Sequence, residues 1–323
     1  MPVYTARRRR GAIQALLKKV DFDEGAPSTV TERTRRLPSS TLADQAQAAL
    51  AARFDPASGR LTAPSPVAAL LFLLDRAREG NDAAQRLAVA ALRRTSGDEQ
   101  PRLRDAAAEA AVHVEALEVA PSEGLEKTAR AAVDAALSAF GWTGGEGGEQ
   151  ESIQVEGLMI ATLARASVVL DAPGYREAAS HAGARALDRR MDATSGALPR
   201  ADGEEPEPAG VVDDALLVRG LLELLAATGE KGWLHEAVQL QGLQDERFGP
   251  TAGQDGSDGD FVSGYGVAAL NLIELARLMA DGAYRERAED VLAAFADDVA
   301  KAPLSHLTLL RAALGVDRPS LPG

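Results

Sequence analysis

The chain has 323 residues, 46% of them hydrophobic and only 4% aromatic, with a formal charge of −13 and no cysteine. The missing cysteine excludes disulfides, thiolate metal sites and cysteine nucleophiles. No apolar run approaches the roughly 20 residues that span a bilayer, and so acidic a body argues against nucleic acid as a general partner.

The basic residues are 30 Arg and 5 Lys. An acidic, lysine-poor surface suits a salt-rich cytoplasm, and a GC-rich genome leaves the same mark. Residues 1–36 carry a net +5, including Arg7 to Arg10. No aromatics are interleaved for base stacking, and no apolar stretch follows the arginines as a secretory signal requires. This segment reads as a basic arm that leans on the acidic body of its own chain. A short helix is expected over Gly11–Val20. The polar stretch up to residue 39, with Pro27 and Pro38, reads as linker, so residues 40–323 form a second unit.

That unit begins with a helix after the caps Ser40 and Thr41 and running to Phe54. Asp55 to Gly59 reads as a turn. A helical hairpin follows, Val67–Arg78 and Ala83–Arg94, turning at Gly80-Asn81-Asp82. Alanine-rich helices are expected over residues 101–118 and 123–140, and Gly144–Gly148 is a break. β-branched alternation is scarce, so no strand is expected.

The main repeats lie at residues 153–300. Three hairpins follow one another, each an almost wholly apolar helix, a short turn and a striped helix. The apolar helices are centred on Leu158–Ala164, Ala215–Leu222 and Val267–Ile273. The turns end on Tyr175, Trp233 and Tyr284, each opening the next helix. A repeat of about 50–57 residues marks stacked supersecondary units. Helices apolar all round belong inside; one-stripe helices belong outside. The long connections Asp192–Gly210 and Gly249–Val262 return the chain from outside to inside. A last helix spans about Pro303 to Leu314. Twelve or thirteen helices fit a closed ring of six hairpins or an incomplete one: an all-α, (α/α)6 toroid-like array.

Specific residues carry a family resemblance. Gly220-Leu221-Leu222-Glu223-Leu224, Ala227-Thr228-Gly229-Glu230 and Trp233-Leu234 form one set. Val267 to Leu272, then Leu275 to Leu278 and Tyr284-Arg285, form another. Together they resemble the helical C-terminal domain of the thioredoxin-domain-containing proteins related to spermatogenesis-associated protein 20. The likeness covers Glu156–Leu314 well and Phe54–Arg94 loosely. It implies a six-hairpin toroid of the kind found in N-acylglucosamine 2-epimerases and six-hairpin glycosidases. The cysteine-free chain cannot hold the family's thioredoxin redox pair. Several motif positions are also exchanged: Val155-Glu156 replaces Trp-Asn, Val212-Asp213-Asp214-Ala215 stands where the family has Asp-Asp-Tyr-Ala, and Tyr265 replaces Asn. Gly157, Asp213, Ser263 and Gly264 are retained.

These positions all stand where a return loop enters an inner helix, and so at one mouth of the toroid. Asp213 and Glu156 are the candidate catalytic pair, since glycoside hydrolysis needs one protonated and one ionised carboxyl. Asp214, Ser263 and Tyr265 are candidate substrate contacts. Each has a plainer reading: Asp213 as a helix-dipole cap, Ser263 as an N-cap. No His pair has metal-ligand spacing, so no metal or cofactor is expected, and His306 is the one histidine expected near the cavity. Gly256 to Asp260 lacks the spacing of a calcium loop and reads as solvated. The leading expectation is a reduced, non-catalytic toroid that binds a small molecule, a sugar or a protein partner. The alternative is a carbohydrate-active hydrolase or 2-epimerase using the mouth carboxylates.

Overall fold

Helices too apolar to face water need a second layer around them. The computed structural model supplies it, describing residues 38–92, 103–142, 152–192, 210–249 and 254–317. In chain order the helices are α1 (Ser39–Ala52), α2 (Pro66–Arg78), α3 (Asp82–Leu92), α4 (Leu103–Val119), α5 (Glu123–Ala139), α6 (Ile153–Val169) and α7 (Pro173–Asp192). They continue with α8 (Val211–Thr228), α9 (Lys231–Phe248), α10 (Gly264–Met279), α11 (Gly282–Ala294), the short α12 (Ala296–Lys301) and α13 (Leu307–Asp317). The expected helix over Gly11–Val20, the Gly144–Gly148 break and most of the Asp192–Gly210 connection lie outside the described residues.

The inner ring is α2, α4, α6, α8, α10 and α13, each packed on the next, and α13 packs back on α2. The ring therefore closes. Helices α3, α5, α7, α9 and α11 each pack outside the inner helix that precedes them. The sixth outer place is taken by α1, which packs on α13, so the first described helix pairs with the last. The Ser39 hydroxyl at the start of α1 donates to Asp317 at the end of α13.

Burial follows the two-layer reading. Leu163 on α6 and Leu217 on α8 have no exposed surface, and Leu270 on α10 is half-buried. Each fully buried leucine contributes about 1.5–3 kcal/mol. On α11 the buried residues are Ala288, Val291 and Leu292, a stripe at helical spacing. The aromatic openers wedge the hairpins. Tyr175 is buried and its hydroxyl donates to Asp134 of α5 at 2.5 Å. The Trp233 ring lies over Gly183 of α7.

Two local expectations are corrected. Phe54–Asp55 and Arg60–Leu61 form a small antiparallel hairpin, β1 and β2, rather than a bare turn. The Asp55 carboxylate accepts from the Ala57 N–H at 3.0 Å, and Gly59 adopts φ 69°, which pinches the loop tightly enough for pairing. The last helix starts at Leu307 after a 3-10 turn at Pro303–Ser305. A buried aspartate described below caps it there. No helix among the described residues is long and apolar enough to cross a membrane.

The inner helices approach backbone to backbone. A Cβ on Gly157 of α6 would stand 2.6 Å from the Leu216 carbonyl carbon and the Leu217 nitrogen of α8. A Cβ on Gly266 of α10 would stand 2.8 Å from the Leu309 nitrogen of α13. Nothing there can yield except the helix axes. Gly157→Ala is therefore expected to lower the unfolding free energy in urea by about 1–3 kcal/mol. Gly174→Ala, where a Cβ meets open space, should leave stability unchanged or raise it by about 0.5 kcal/mol.

Candidate functional site

The return loops place the N-termini of the inner helices at one rim, where their first N–H groups need acceptors. Single side chains serve two elements at once. Asp213, in the first turn of α8 and wholly buried, accepts from the Gly210 N–H at 2.8 Å and from the Gln154 N–H of α6 at 3.2 Å. Asp258, 3% exposed, accepts from the Ser263 N–H at 3.1 Å, from Leu307 N–H at 2.5 Å and from Thr308 N–H at 3.2 Å. It thus ties the entry of α10 to the start of α13. Ser65 caps α2 by accepting from the Ala68 N–H at 3.1 Å and donates its own proton to the Phe261 carbonyl. Ser263 caps α10 through the Gly266 N–H at 3.1 Å.

The five candidate residues gather at this rim but turn away from the ring axis. On α8 the stripe Val212, Leu216, Arg219, Glu223 faces the axis, as their cross-ring contacts below establish. Asp213 points sideways to α6, and Asp214 points outward to Arg247 of α9, 3.2 Å away. On α6 the axial stripe is Leu158, Thr162, Arg165. Glu156 is buried and lies about 200° around the helix from Leu158. Glu156 and Asp213 stand in the first turns of adjacent inner helices. Tyr265 stacks on Phe295 of the outer layer with centroids 4.9 Å apart, and its hydroxyl donates to Gln254. His306 precedes α13 and its Nδ1 faces the Ala302 carbonyl at 2.9 Å. Among the described residues no group of three or more His, Asp or Glu is placed to hold a metal ion.

The axis itself is layered. Near the rim Ala108, Ala215, Leu216, Phe261, Val267 and Ala268 form one buried apolar cluster, with Val67, Leu158, Val212 and Val262 packed against it. These side chains come from α2, α4, α6, α8 and α10 and the loop before α10. Helices α4 and α10 stand opposite each other in the ring, so side chains meet across it. Arg104 covers the Phe261 ring at 5.7 Å and pairs with Asp260 at 2.8 Å.

Toward the other end the same stripes turn charged. Arg311 of α13 pairs with Asp75 of α2 at 2.7 Å. Arg78 of α2 reaches Glu115 and Glu118 of α4 at 2.9 and 3.0 Å. Arg165 of α6 pairs with the same two glutamates at 3.2 and 2.8 Å and approaches Glu223 of α8 at 3.9 Å. Glu223 is completed by Arg219 at 2.7 Å. Five inner helices are thereby joined by one chain of ion pairs. Burial alone would raise the Glu115 carboxyl, but Arg165, Arg78 and Arg311 outweigh it and hold it well below the usual range. Asp75 is likewise pushed up by burial and pulled down further by Arg311 and Arg78, ending below its ordinary value.

Comparison with known proteins agrees with this architecture. No family model matches the chain. Spermatogenesis-associated protein 20 of the rat is 30% identical over 185 residues, 48% of this chain and 23% of that protein. The human protein of the same name is 29% identical over a stretch of the same length. The C-terminal half of the chain is homologous to spermatogenesis-associated protein 20. The chain spans 23% of the length of those relatives.

Among solved structures, an alpha-1,6-mannanase from Salegentibacter superposes with a TM-score of 0.69 at 14% identity, covering 86% of this chain and all of that one. An inactive variant of that mannanase, with two consecutive aspartates replaced, is known with alpha-1,6-mannotetrose bound. A cellobiose 2-epimerase from Spirochaeta thermophila superposes with a TM-score of 0.57 at 15% identity, covering 78% of this chain and 83% of that one. At such identities the likeness is one of fold: an (α/α)6 toroid.

Asp258, Phe261 and the charged stripes were missed by sequence reasoning. A signal existed for the stripes: Asp75/Arg78, Glu115/Glu118 and Arg219/Glu223 repeat at i,i+3 or i,i+4 within apolar helices. Asp213→Asn presents an amide NH2 to one of two N–H donors, so a loss of about 1–3 kcal/mol is expected in denaturation. For the ion-pair chain the sign follows from the depressed carboxyls. Their stabilisation is whole above the ordinary values of 3.8 for Asp75 and 4.5 for Glu115, and is lost as pH falls through the lower folded values. Melting temperature should therefore drop as pH goes below about 4.5. Glu115→Gln should reduce that slope and cost up to about 3 kcal/mol at neutral pH, because Arg78 and Arg165 lose one of their two shared partners and then share only Glu118.

Proposed function

We propose that this toroid works by binding and not by turnover. The observation that carries the reading is the apolar cluster that meets across the ring axis just inside the rim. A sugar-cleaving or epimerising site needs acid and base groups facing an open, polar space. Two of the three candidate acids at the rim are committed to the frame: Asp213 accepts from two main-chain N–H groups, and Asp214 is drawn to Arg247. The axial acids Asp75, Glu115, Glu118 and Glu223 are each within salt-bridge reach of arginine. In this reading residues 40–323 act as one helical unit whose rim is the docking face. The mannanase and epimerase neighbours support a carbohydrate as the class of small ligand.

A second reading, a carbohydrate-active enzyme, is favoured by one observation. The mannanase is inactive when two consecutive aspartates are replaced, and Asp213-Asp214 here is a buried consecutive pair in the first turn of an inner helix. In that reading Asp213 and Glu156 are the acid and base, and Asp214, Ser263 and Tyr265 contact the sugar.

Incubation with alpha-1,6-linked mannooligosaccharides, D-mannose and cellobiose separates the two. Product analysis by proton NMR is expected to show no cleavage and no epimer. Turnover that disappears in a folded Asp213→Asn variant would overturn the binding reading in favour of the enzyme.

A further inference from the structure

A second concavity lies outside the ring, between the outer helices α9 and α11, with α10 as its floor. Its volume is about 210 Å³. That is smaller than the roughly 300–1,000 Å³ of drug-sized sites, so it takes a molecule of one small ring. The floor is Tyr265, Ala268 and Leu272, and Phe248 and Val291 form apolar sides. The polar wall is Asp245 on one side and Arg287 on the other, with Asp290 at the edge.

The polar wall is incompletely satisfied. Asp245 Oδ2 stands 2.7 Å from Arg287 Nη1, off the line of its N–H bonds. Neither Asp245 Oδ2 nor Arg287 Nε has a hydrogen-bond partner, although both atoms are buried. Behind them the buried Gln241 donates to Gln244 at 3.0 Å and to Asp245 Oδ1 at 2.8 Å, and its own carbonyl oxygen is unpartnered. Gln244 in turn donates to the Val211 carbonyl at 2.8 Å, which fixes this array to the start of α8. Arg287 is held in place by the Tyr284 ring, 4.5 Å beneath its guanidinium. At the cleft wall one donor, Arg287 Nε, and one acceptor, Asp245 Oδ2, thus lack a hydrogen bond, and leaving such groups dry and unpaired is costly.

The charges select the ligand. An anion meets Asp245, Asp290 and the carbonyl end of α9. A cation meets Arg287, which cannot withdraw from between Asp245 and Tyr284. An apolar molecule leaves the open donor and acceptor desolvated. A neutral molecule with adjacent hydroxyls satisfies both kinds of atom, since each hydroxyl donates and accepts, and its C–H face lies on Tyr265 and Leu272.

We propose that the α9–α10–α11 cleft is a binding site for a small neutral polyol, such as a single sugar ring, held through Asp245 and Arg287. The site lies on the outer side of the rim, with Tyr265 at its floor, and does not depend on the rim being a docking face. Burial raises the Asp245 carboxyl above its ordinary value, in keeping with a group that loses water when the cleft is filled.

The test is calorimetric titration of the full chain with D-mannose and, separately, with myo-inositol, together with saturation-transfer NMR. Saturable binding of at least one probe is expected. Arg287→Gln, at a half-exposed position, should weaken it tenfold or more, as should Asp245→Asn. Where Asp245→Asn does not fold, Arg287→Gln and the edge variant Asp290→Lys, expected to weaken binding less, carry the test. Absence of saturable binding of both probes to the folded chain overturns the proposal. So does wild-type affinity in Arg287→Gln. Binding that survives the cleft variants but is lost in Asp213→Asn would put the sugar at the rim, overturning the cleft and leaving the rim reading standing.

Discussion

Neighbouring inner helices touch backbone to backbone, and the rest of the structure follows from that contact. A Cβ on Gly157, Gly264 or Gly266 would stand only 2.6–2.7 Å from atoms of the adjacent helix. Helices this close bring the N–H groups of one within reach of acceptors on the next. One side chain can then serve two helices. Asp213 does so at the α6–α8 joint and Asp258 at the α10–α13 joint, and on the α8–α10 seam between them Asn271 of α10 donates to the Ala215 carbonyl at 2.8 Å. The polar groups at the rim are thereby committed to holding the ring together.

The axis inside the ring divides by chemistry along its length. Apolar side chains close it near the rim, and arginine–carboxylate pairs line it further in. The ion pairs keep some contact with water: the side chains of Arg165, Glu115 and Arg311 are 10–14% exposed. Partial hydration lowers the cost of placing charges there. A chain of alternating charge also resists sliding of one helix past another, because Arg165 would lose carboxylates on α4 and α8, and Arg78 those on α4. The axial stripes combine apolar packing near the rim with ion pairing further in.

Much of this was legible in the residues. The aromatic openers Tyr175, Trp233 and Tyr284 do stand at hairpin turns, and Ser263 does cap α10. Asp213 was legible as a cap because acidic residues favour the first turn. The second N–H that it holds, on Gln154 59 positions earlier, was not. Asp258 shows the limit more plainly. Its Gly-Ser-Asp-Gly-Asp setting has the composition of a surface loop, yet it is buried because the start of α13, 49 and 50 residues later, needs an acceptor there. Tyr265 was placed at the mouth from its position after Ser263-Gly264, and its ring turned outward because Phe295 lies on that side.

The sequence by itself determined the helical class, the hairpin repeat and the sorting of helices into inner and outer layers, since periodicity and apolar fraction act within single elements. Only the tertiary structure decided that the ring closes, through α13 packing back on α2 while α1 from the other end of the described chain fills the outer place beside α13. It also decided which face of each inner helix meets the axis. A helix that is apolar nearly all round carries no local mark of its direction, so the burial of Leu216 against Phe261, and of Arg165 against Glu115, is set by neighbours far away in the chain.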